Sequence, residues 1–219
     1  MELVLEAYPT TLALAGVAMV LSITLAIIVG ALAAYKPGGV FDRISSMASL
    51  AGASAPDFWV AITGILLFAV TLRWLPTSGI GDLPYWILPI GVLMLRPFGL
   101  MVQVVRAAML GALSSSYVKT ARAKGVGETA VIFIHALRNA CLSVVTVAGD
   151  LTVGLINGAV IVETVFGWPG VGKLMIDSVI QRDFPTVQAT IMVTATAIFL
   201  LNILIDLLYV ALDPRIRHQ

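Results

Sequence analysis

The 219-residue sequence predicts an all-α integral membrane protein, and three observations carry that prediction. Apolar residues make up 59% of the chain and charged residues only 11%, with a mean hydropathy of +1.01. A soluble globular chain is about 45–50% apolar and about 25% charged. So few charges cannot coat a water-soluble fold of this length, which excludes an ordinary cytosolic enzyme, a nucleic-acid binder and a disordered chain. Second, the apolar residues gather in runs of the length, about 20 residues, that carries a helix across a hydrocarbon layer of about 30 Å. Third, these runs are apolar on every side, whereas the strands of a membrane barrel alternate in polarity over about ten residues. A single cysteine, Cys141, excludes a disulfide framework and a Cys-rich metal site.

Five spans follow, in one domain over 1–219. The first covers about 10–35: no charge occurs from Ala7 to Tyr35, and Lys36-Pro37-Gly38-Gly39 breaks the run. It is too long for a signal peptide and lacks a basic leading segment, so it reads as a retained span. A small-residue stretch from Ser45 to Ala55 suits a short interfacial helix ending at Pro56. The second span, about 57–73, is uncharged from Phe58 to Leu72. The third, about 85–105, is interrupted by Arg96-Pro97, which reads as a kink whose freed backbone groups need partners. The fourth, about 137–160, contains Asp150, and the fifth, about 185–210, contains Asp206.

The formal net charge is only +1, so any meaning lies in where the charges sit. If the segment after the first span is cytoplasmic, nine of the thirteen basic residues lie inside: Lys36, Arg43, Arg106, Lys119, Arg122, Lys124, Arg138, Arg215 and Arg217. Arg73, Lys173 and Arg182 lie outside, beside Glu2, Glu6, Asp82, Glu163, Asp177 and Asp183, and Arg96 stays within a span. This bias places the N-terminus outside and the C-terminus in the cytoplasm.

Residues 114–136 join spans three and four. Ser114-Ser-Ser-Tyr-Val-Lys-Thr-Ala-Arg-Ala-Lys-Gly125 is basic, alanine-rich and helix-prone, with a glycine where a helix would stop. Composition leaves two readings. One is a loop that fixes topology by meeting anionic lipid. The other is a short helix that docks on another protein.

Tyr117-Val-Lys-Thr-Ala-Arg-Ala-Lys-Gly125, followed by His135-Ala-Leu-Arg-Asn139-Ala140, resembles the cytoplasmic loop of the dipeptide/oligopeptide/nickel class of ABC importer permeases. Lys119-Thr120-Ala121 stand at the EAA positions of that loop and Gly125 at its glycine. The resemblance continues through Gly158-Ala-Val-Ile-Val-Glu-Thr-Val-Phe166-Gly-Trp-Pro-Gly-Val-Gly172, Arg182-Asp-Phe-Pro185 and the terminal Asp213-Pro-Arg-Ile-Arg217. Earlier pieces also match: Pro9-Thr-Thr-Leu12, Ser54-Ala-Pro56 and Trp74-Leu-Pro-Thr-Ser-Gly79.

The resemblance implies a type I ABC importer permease fold in a bacterial or archaeal cytoplasmic membrane. It implies that Lys119, Thr120, Ala121, Arg122, Ala123, Lys124 and Gly125 form a coupling helix seated in a cytoplasmic ATPase. It also implies an outer face, including Trp168, Pro169, Arg182 and Asp183, that meets an extracytoplasmic substrate-binding protein. The expected partners are two ATPase subunits, a second permease (a different chain or a copy of this one), that binding protein and the lipid bilayer. ATP and magnesium would reside in the ATPases, with no cofactor on this chain. Di- and oligopeptides are the implied substrates, with nickel and other small solutes sharing the motifs. The class also has a further span and an extracytoplasmic segment before Pro-Thr-Thr-Leu, which these 219 residues do not contain.

Gly167-Trp-Pro-Gly-Val-Gly172-Lys173 matches the opening of a phosphate-binding P-loop, but Leu174 stands where Ser or Thr would hold magnesium and no strand precedes it. Ionisable groups inside spans are functional candidates because a charge in lipid is costly. Here they are Arg96 and Asp150, with Asn157 two turns beyond. Asp150 reads either as lining a pathway or as a structural partner of Arg96 or of a neighbouring helix. Gly154-Leu-Ile-Asn-Gly158 is a small-residue stripe that would allow close helix packing. No catalytic constellation and no metal-ligand spacing emerges. The rival readings are a self-sufficient ion-coupled transporter or channel built on Asp150 or Arg96, and a non-transporting scaffold.

Overall fold

In a computed structural model of the protein, residues 1–212 are described, with side chains given except those of 139, 141–143 and 208–212. Arg215 and Arg217, expected at the cytoplasmic end, lie outside these residues. Helix α1 spans Glu2–Tyr35, about 50 Å of helix, and ends where Pro37 and Gly38, at φ 77°, turn the chain. Helix α2 (Val40–Ser54) and helix α3 (Asp57–Gly64) meet at a bend of 102°. Pro56 drives that bend, since the residue before proline is pushed out of the helical region and Ala55 sits at φ −71°, ψ 133°. A π-helical stretch, Ile65–Thr71, extends α3 and stops before Arg73 at φ 56°.

Helix α4 (Leu83–Leu113) runs unbroken through Pro89 and Pro97. The connecting segment holds α5 (Ser116–Ala123), a single turn α6 (Glu128–Ala130) and a π-helical stretch (Val131–Ala136). Helix α7 (Leu137–Phe166), α8 (Val171–Ile180) and α9 (Phe184–Leu212) complete the chain. Helices α1, α4, α7 and α9 are each long and apolar enough to cross a membrane, and the bent α2–α3 pair passes the same test as one broken span.

The core is built on close backbone approach. In α1, Ala15, Ala18, Ser22, Ala26 and Gly30 recur every three or four residues and are buried. They bring α1 alongside α4: the Ser22 hydroxyl lies 3.2 Å from the Met94 carbonyl, and a Cβ on Gly30 would stand 2.7 Å from that of Val105. Gly154 in the α7 stripe has open space where its side chain would be, with no other helix against it among the described residues.

Helix α2 lies lengthwise along α4. Its Asp42 accepts hydrogen bonds from both Nε and Nη2 of Arg106, the latter at 2.8 Å, and from the Gly38 amide at 2.7 Å. Further along, the Ser49 hydroxyl accepts from Gln103 Nε2 at 2.6 Å. A Cβ on Gly99 would collide with the Ser49 carbonyl at 2.2 Å, and one on Gly52 would meet Leu95 at 3.1 Å. The small residues of 45–55 thus serve contact with α4. They carry α2 from the end of α4 up to its middle, where Pro56 turns the chain into α3.

Candidate functional site

The end of the bundle where α4 stops and α7 begins carries α5, a two-turn helix. Gly125, at φ 78°, closes it in a Schellman motif: the Val126 amide donates to the Ala121 carbonyl at 3.2 Å and the Gly125 amide to the Arg122 carbonyl at 2.9 Å. Space is not what selects glycine there, since nothing lies within 4 Å of a Cβ; the left-handed backbone is. One side of α5 is tied down, with Val118 fully buried and Val126 packed on the core. Lys119, Thr120, Arg122, Ala123, Lys124 and Gly125 are exposed, and Ala121 is half-buried.

Arg122 already has a partner. Its Nε and Nη2 donate to Glu128 Oε1 and Oε2 at 2.9 and 3.1 Å, a bidentate pair that raises the guanidinium pKa further. Among the described residues, Lys119 and Lys124 form no ion pair, so they are the cations left for an external surface.

A second constellation sits halfway along the bundle. Arg96 and Asp150 each lie thirteen residues into their helices, about 20 Å from the start. With Asn157 and Asp57, the first residue of α3, they line one open cleft of about 350 Å³ between α3, α4 and α7. Among the described residues, neither carboxylate comes within ion-pair distance of Arg96, so the structural pairing of Asp150 with Arg96 is absent. Gly154 lines the same cleft, and Gly158 leaves room for Asp57, whose Oδ2 would be 3.7 Å from a Cβ there.

The opposite end is closed by a residue that the charge ledger places in an outer loop. Glu163 lies inside α7 and is fully buried. Its Oε1 accepts from the Thr11 hydroxyl at 2.6 Å, and its Oε2 from the Gly172 and Lys173 amides at 2.8 and 3.2 Å. Thr11 Oγ1 in turn accepts from the Val171 amide at 2.9 Å. The first amides of α8 are orphan donors at a positive helix end, which suits a carboxylate. The resemblance of this segment to a P-loop therefore has a physical resolution: the amides that would face phosphate hold the chain's own Glu163.

Trp168 corrects an expectation. It is fully buried and meets Trp86 edge-on at 4.7 Å and 80°, so its side chain offers no outer surface. The cause is the end of α7, where Gly167 at φ 62° permits a Schellman turn that folds Trp168 back, its amide donating to the Glu163 carbonyl at 2.8 Å. Pro169, Arg182 and Asp183 are exposed. Arg182 adopts φ 60° at the end of α8, a conformation that usually favours glycine. Asp183 caps α9, accepting from the Thr186 amide at 3.2 Å and hydroxyl at 2.5 Å, and these bonds hold its carboxyl below the ordinary range.

Sequence reasoning missed Asp42, Asp57 and the role of Glu163. Two signals were available for Glu163: it is the one charge near the end of a long apolar run, and Gly170 and Gly172 follow it. Both glycines make room, since a Cβ on Gly170 would stand 2.2 Å from Glu163 Oε1 and one on Gly172 would stand 2.5 Å from the Val160 Cα. Asp57, directly after Pro56, carried the signal of a helix start and nothing that tied it to Arg96.

Comparison with known proteins adds a frame. The family described as the binding-protein-dependent transport system inner membrane component matches residues 26–218. The di/tripeptide transport system permease protein DppB of Pseudomonas aeruginosa strain UCBPP-PA14 is 42% identical over 243 aligned residues, covering 98% of this chain and 72% of its own. The oligopeptide permease AppB of Bacillus subtilis strain 168 is 37% identical, covering 99% and 72%. The dipeptide permease DppB of Escherichia coli strain K12 is 39% identical, covering 97% and 72%. Among solved structures, an inward-facing form of the MetNI methionine ABC transporter matches with a TM-score of 0.80 at 17% identity over 97% of each chain. An amino acid ABC transporter matches with a TM-score of 0.72 at 15% identity over 95% of this chain and 93% of that one. At these identities the structural matches speak for the fold.

Proposed function

Because this chain belongs to the family of binding-protein-dependent transport system inner membrane components, we propose that it is the membrane-spanning subunit of an ATP-driven peptide importer. The observation that carries the reading is the likeness, over nearly its whole length, to permeases named for di-, tri- and oligopeptide transport. The chain sits in the cytoplasmic membrane with its N-terminus outside and its C-terminus inside. It pairs with a second permease chain, two ATPase subunits on the inner face and a substrate-binding protein on the outer face.

In this scheme α5, from Lys119 to Gly125, seats in a groove of the ATPase. A helix serving there must be short, rigid and slim. The Schellman closure at Gly125, the Arg122–Glu128 fork and the Val118 anchor supply rigidity, and Ala121 and Ala123 keep it slim. Displacement of α5 reaches α4 through the short link at Ser114 and Ser115, and reaches α7 through the segment over 128–136. The permease itself breaks no bond. ATP and magnesium are held by the ATPases, and this subunit converts their closure into alternate opening of the pathway.

The test is reconstitution of the chain with its second permease, the two ATPases and the binding protein in proteoliposomes, read out as uptake of a labelled dipeptide. Uptake that requires ATP inside and the binding protein outside supports the proposal. Uptake that persists without the ATPases and collapses with the proton gradient overturns it.

A further inference from the structure

Between α2 and α3, alongside the middle of α4, the helical backbone is broken, and the break opens onto charges. Helix α2 climbs α4 from Arg106 to Leu95, the backbone leaves helical geometry at Ala55, and α3 starts anew at Asp57 beside Gly158 of α7. Non-helical backbone at this depth is tolerated where it is buried in protein or lines a water-filled cavity. Ala55 and Pro56 are not fully buried. A charge placed mid-bilayer against lipid is costly, and Arg96 and Asp150 are both exposed on this face. A hydrated cleft resolves both problems at once.

Its chemistry is specific. One guanidinium, two carboxylates and the Asn157 amide converge on a space of about 350 Å³, within the range of about 300–1,000 Å³ typical of ligand sites. Among the described residues no salt bridge joins the acids to the base, and Arg96 acts on Asp57 only through its field, so both signs remain on offer. The floor is Gly154 and Gly158, where nothing but backbone limits approach on the Gly154 side. Arg is suited to a carboxylate as a bidentate donor, and a carboxylate pair suits an ammonium group.

We infer that this cleft is a peptide-binding station in the membrane, in which Arg96 holds the free C-terminal carboxylate of the passing peptide and Asp57 with Asp150 holds its N-terminal ammonium. The inference rests on the peptide-importer reading. It adds that the permease itself discriminates unblocked zwitterionic peptides from end-blocked ones, independently of the binding protein.

The test uses an Asn157→Cys variant in a Cys141→Ser chain, assembled with its second permease and ATPases in nanodiscs without binding protein or ATP. Modification of the new thiol by a charged methanethiosulfonate reagent is followed with and without dialanine or its N-acetyl amide derivative. Dialanine is expected to slow modification at least several-fold and the blocked derivative to leave it unchanged. Adding Arg96→Gln, or Asp57→Asn with Asp150→Asn, is expected to raise the half-protecting dialanine concentration about tenfold or more, and Arg96→Lys less. Equal protection by free and blocked peptides, or protection indifferent to these charges, overturns the inference. So does an unreactive thiol, which would show the cleft covered by the second permease. The free-against-blocked comparison needs none of the charge variants. ATP-driven dipeptide uptake by the unmodified complex is measured in parallel: uptake without the expected protection sinks the station alone, whereas no uptake sinks the importer reading beneath it.

Discussion

Thr11 and Glu163, 152 positions apart, share a 2.6 Å hydrogen bond between two side chains that are both shut off from solvent. The same pair receives three backbone amides from the start of α8, so three helices meet at one carboxylate and one hydroxyl.

Removing that carboxylate strands its donors. Glu163→Ala leaves the Thr11 hydroxyl and two amides without acceptors, and each buried unsatisfied group costs about 1–3 kcal/mol. We expect a loss of about 3 kcal/mol or more for Glu163→Ala and a smaller loss for Glu163→Gln, which keeps one oxygen. Thermal unfolding of the detergent-purified chain measures it, and a double-mutant cycle with Thr11→Val should return a coupling of about 0.5–3 kcal/mol. A melting point equal to that of the parent chain would show the tie to be dispensable.

Gly172→Ala should abolish stable assembly, because the added methyl would meet the Val160 Cα at 2.5 Å, whereas Gly170→Ala, whose methyl would stand 2.2 Å from Glu163 Oε1, should cost less because that carboxylate can shift at the expense of its hydrogen bonds. Gly16→Ala is the matched control: nothing lies within 4 Å of it in α1, so it should stabilise by about 0.5–1 kcal/mol. Yields of monodisperse protein separate the two cases, and a well-behaved Gly172→Ala would contradict the packing.

At Gly125 the limit is backbone geometry, since the site is open but held at φ 78°. Asparagine tolerates this region better than β-branched residues. Gly125→Val should therefore lose transport-coupled ATPase stimulation while Gly125→Asn keeps most of it, both inserting normally. Equal behaviour of the two variants in reconstituted vesicles would remove the conformational argument.

Asp183 offers a pH signature. Its bonds to the Thr186 hydroxyl and amide depress its carboxyl pKa, so the cap is at full strength above the ordinary value of 3.8 and fades as pH falls through and below it. Asp183→Ala should speed hydrogen exchange at the Thr186 amide at neutral pH, with the difference from the parent chain narrowing as the medium is acidified below that range. A difference that is constant with pH would mean the carboxylate is not the cap.

Most of the architecture was legible because helices in a bilayer must satisfy their own backbone, which makes apolar length a direct signal. Helix ends were legible too: Lys36-Pro37-Gly38-Gly39, Pro56 and Gly125 act through local sterics that a sequence displays. Partnership across the bundle was not. Glu163 looks like any acidic residue near the end of a span, and only Thr11 and the α8 amides give it a role. Trp168, beside Pro169 and Gly170, resembles a surface turn until Trp86 is brought against it. Arg96-Pro97 drew attention to α4, yet the backbone leaves helical geometry at Ala55-Pro56, on a neighbour whose small residues lay it along α4. The coupling segment was readable as a helix with its stop, whereas the diversion of Arg122 to Glu128 depends on the turn that Gly125 makes.

The tie between Thr11 and Glu163 also sets a clock on synthesis. At about 5–20 residues per second, Thr11 leaves the ribosome roughly 8–30 s before Glu163 does. Through that interval the Thr11 hydroxyl has neither Glu163 nor the Val171 amide to bond. A chain halted between these two residues would hold α1 without its latch, and without the amides of α8 and the whole of α9, so the end of the bundle that Thr11 occupies closes only late in synthesis.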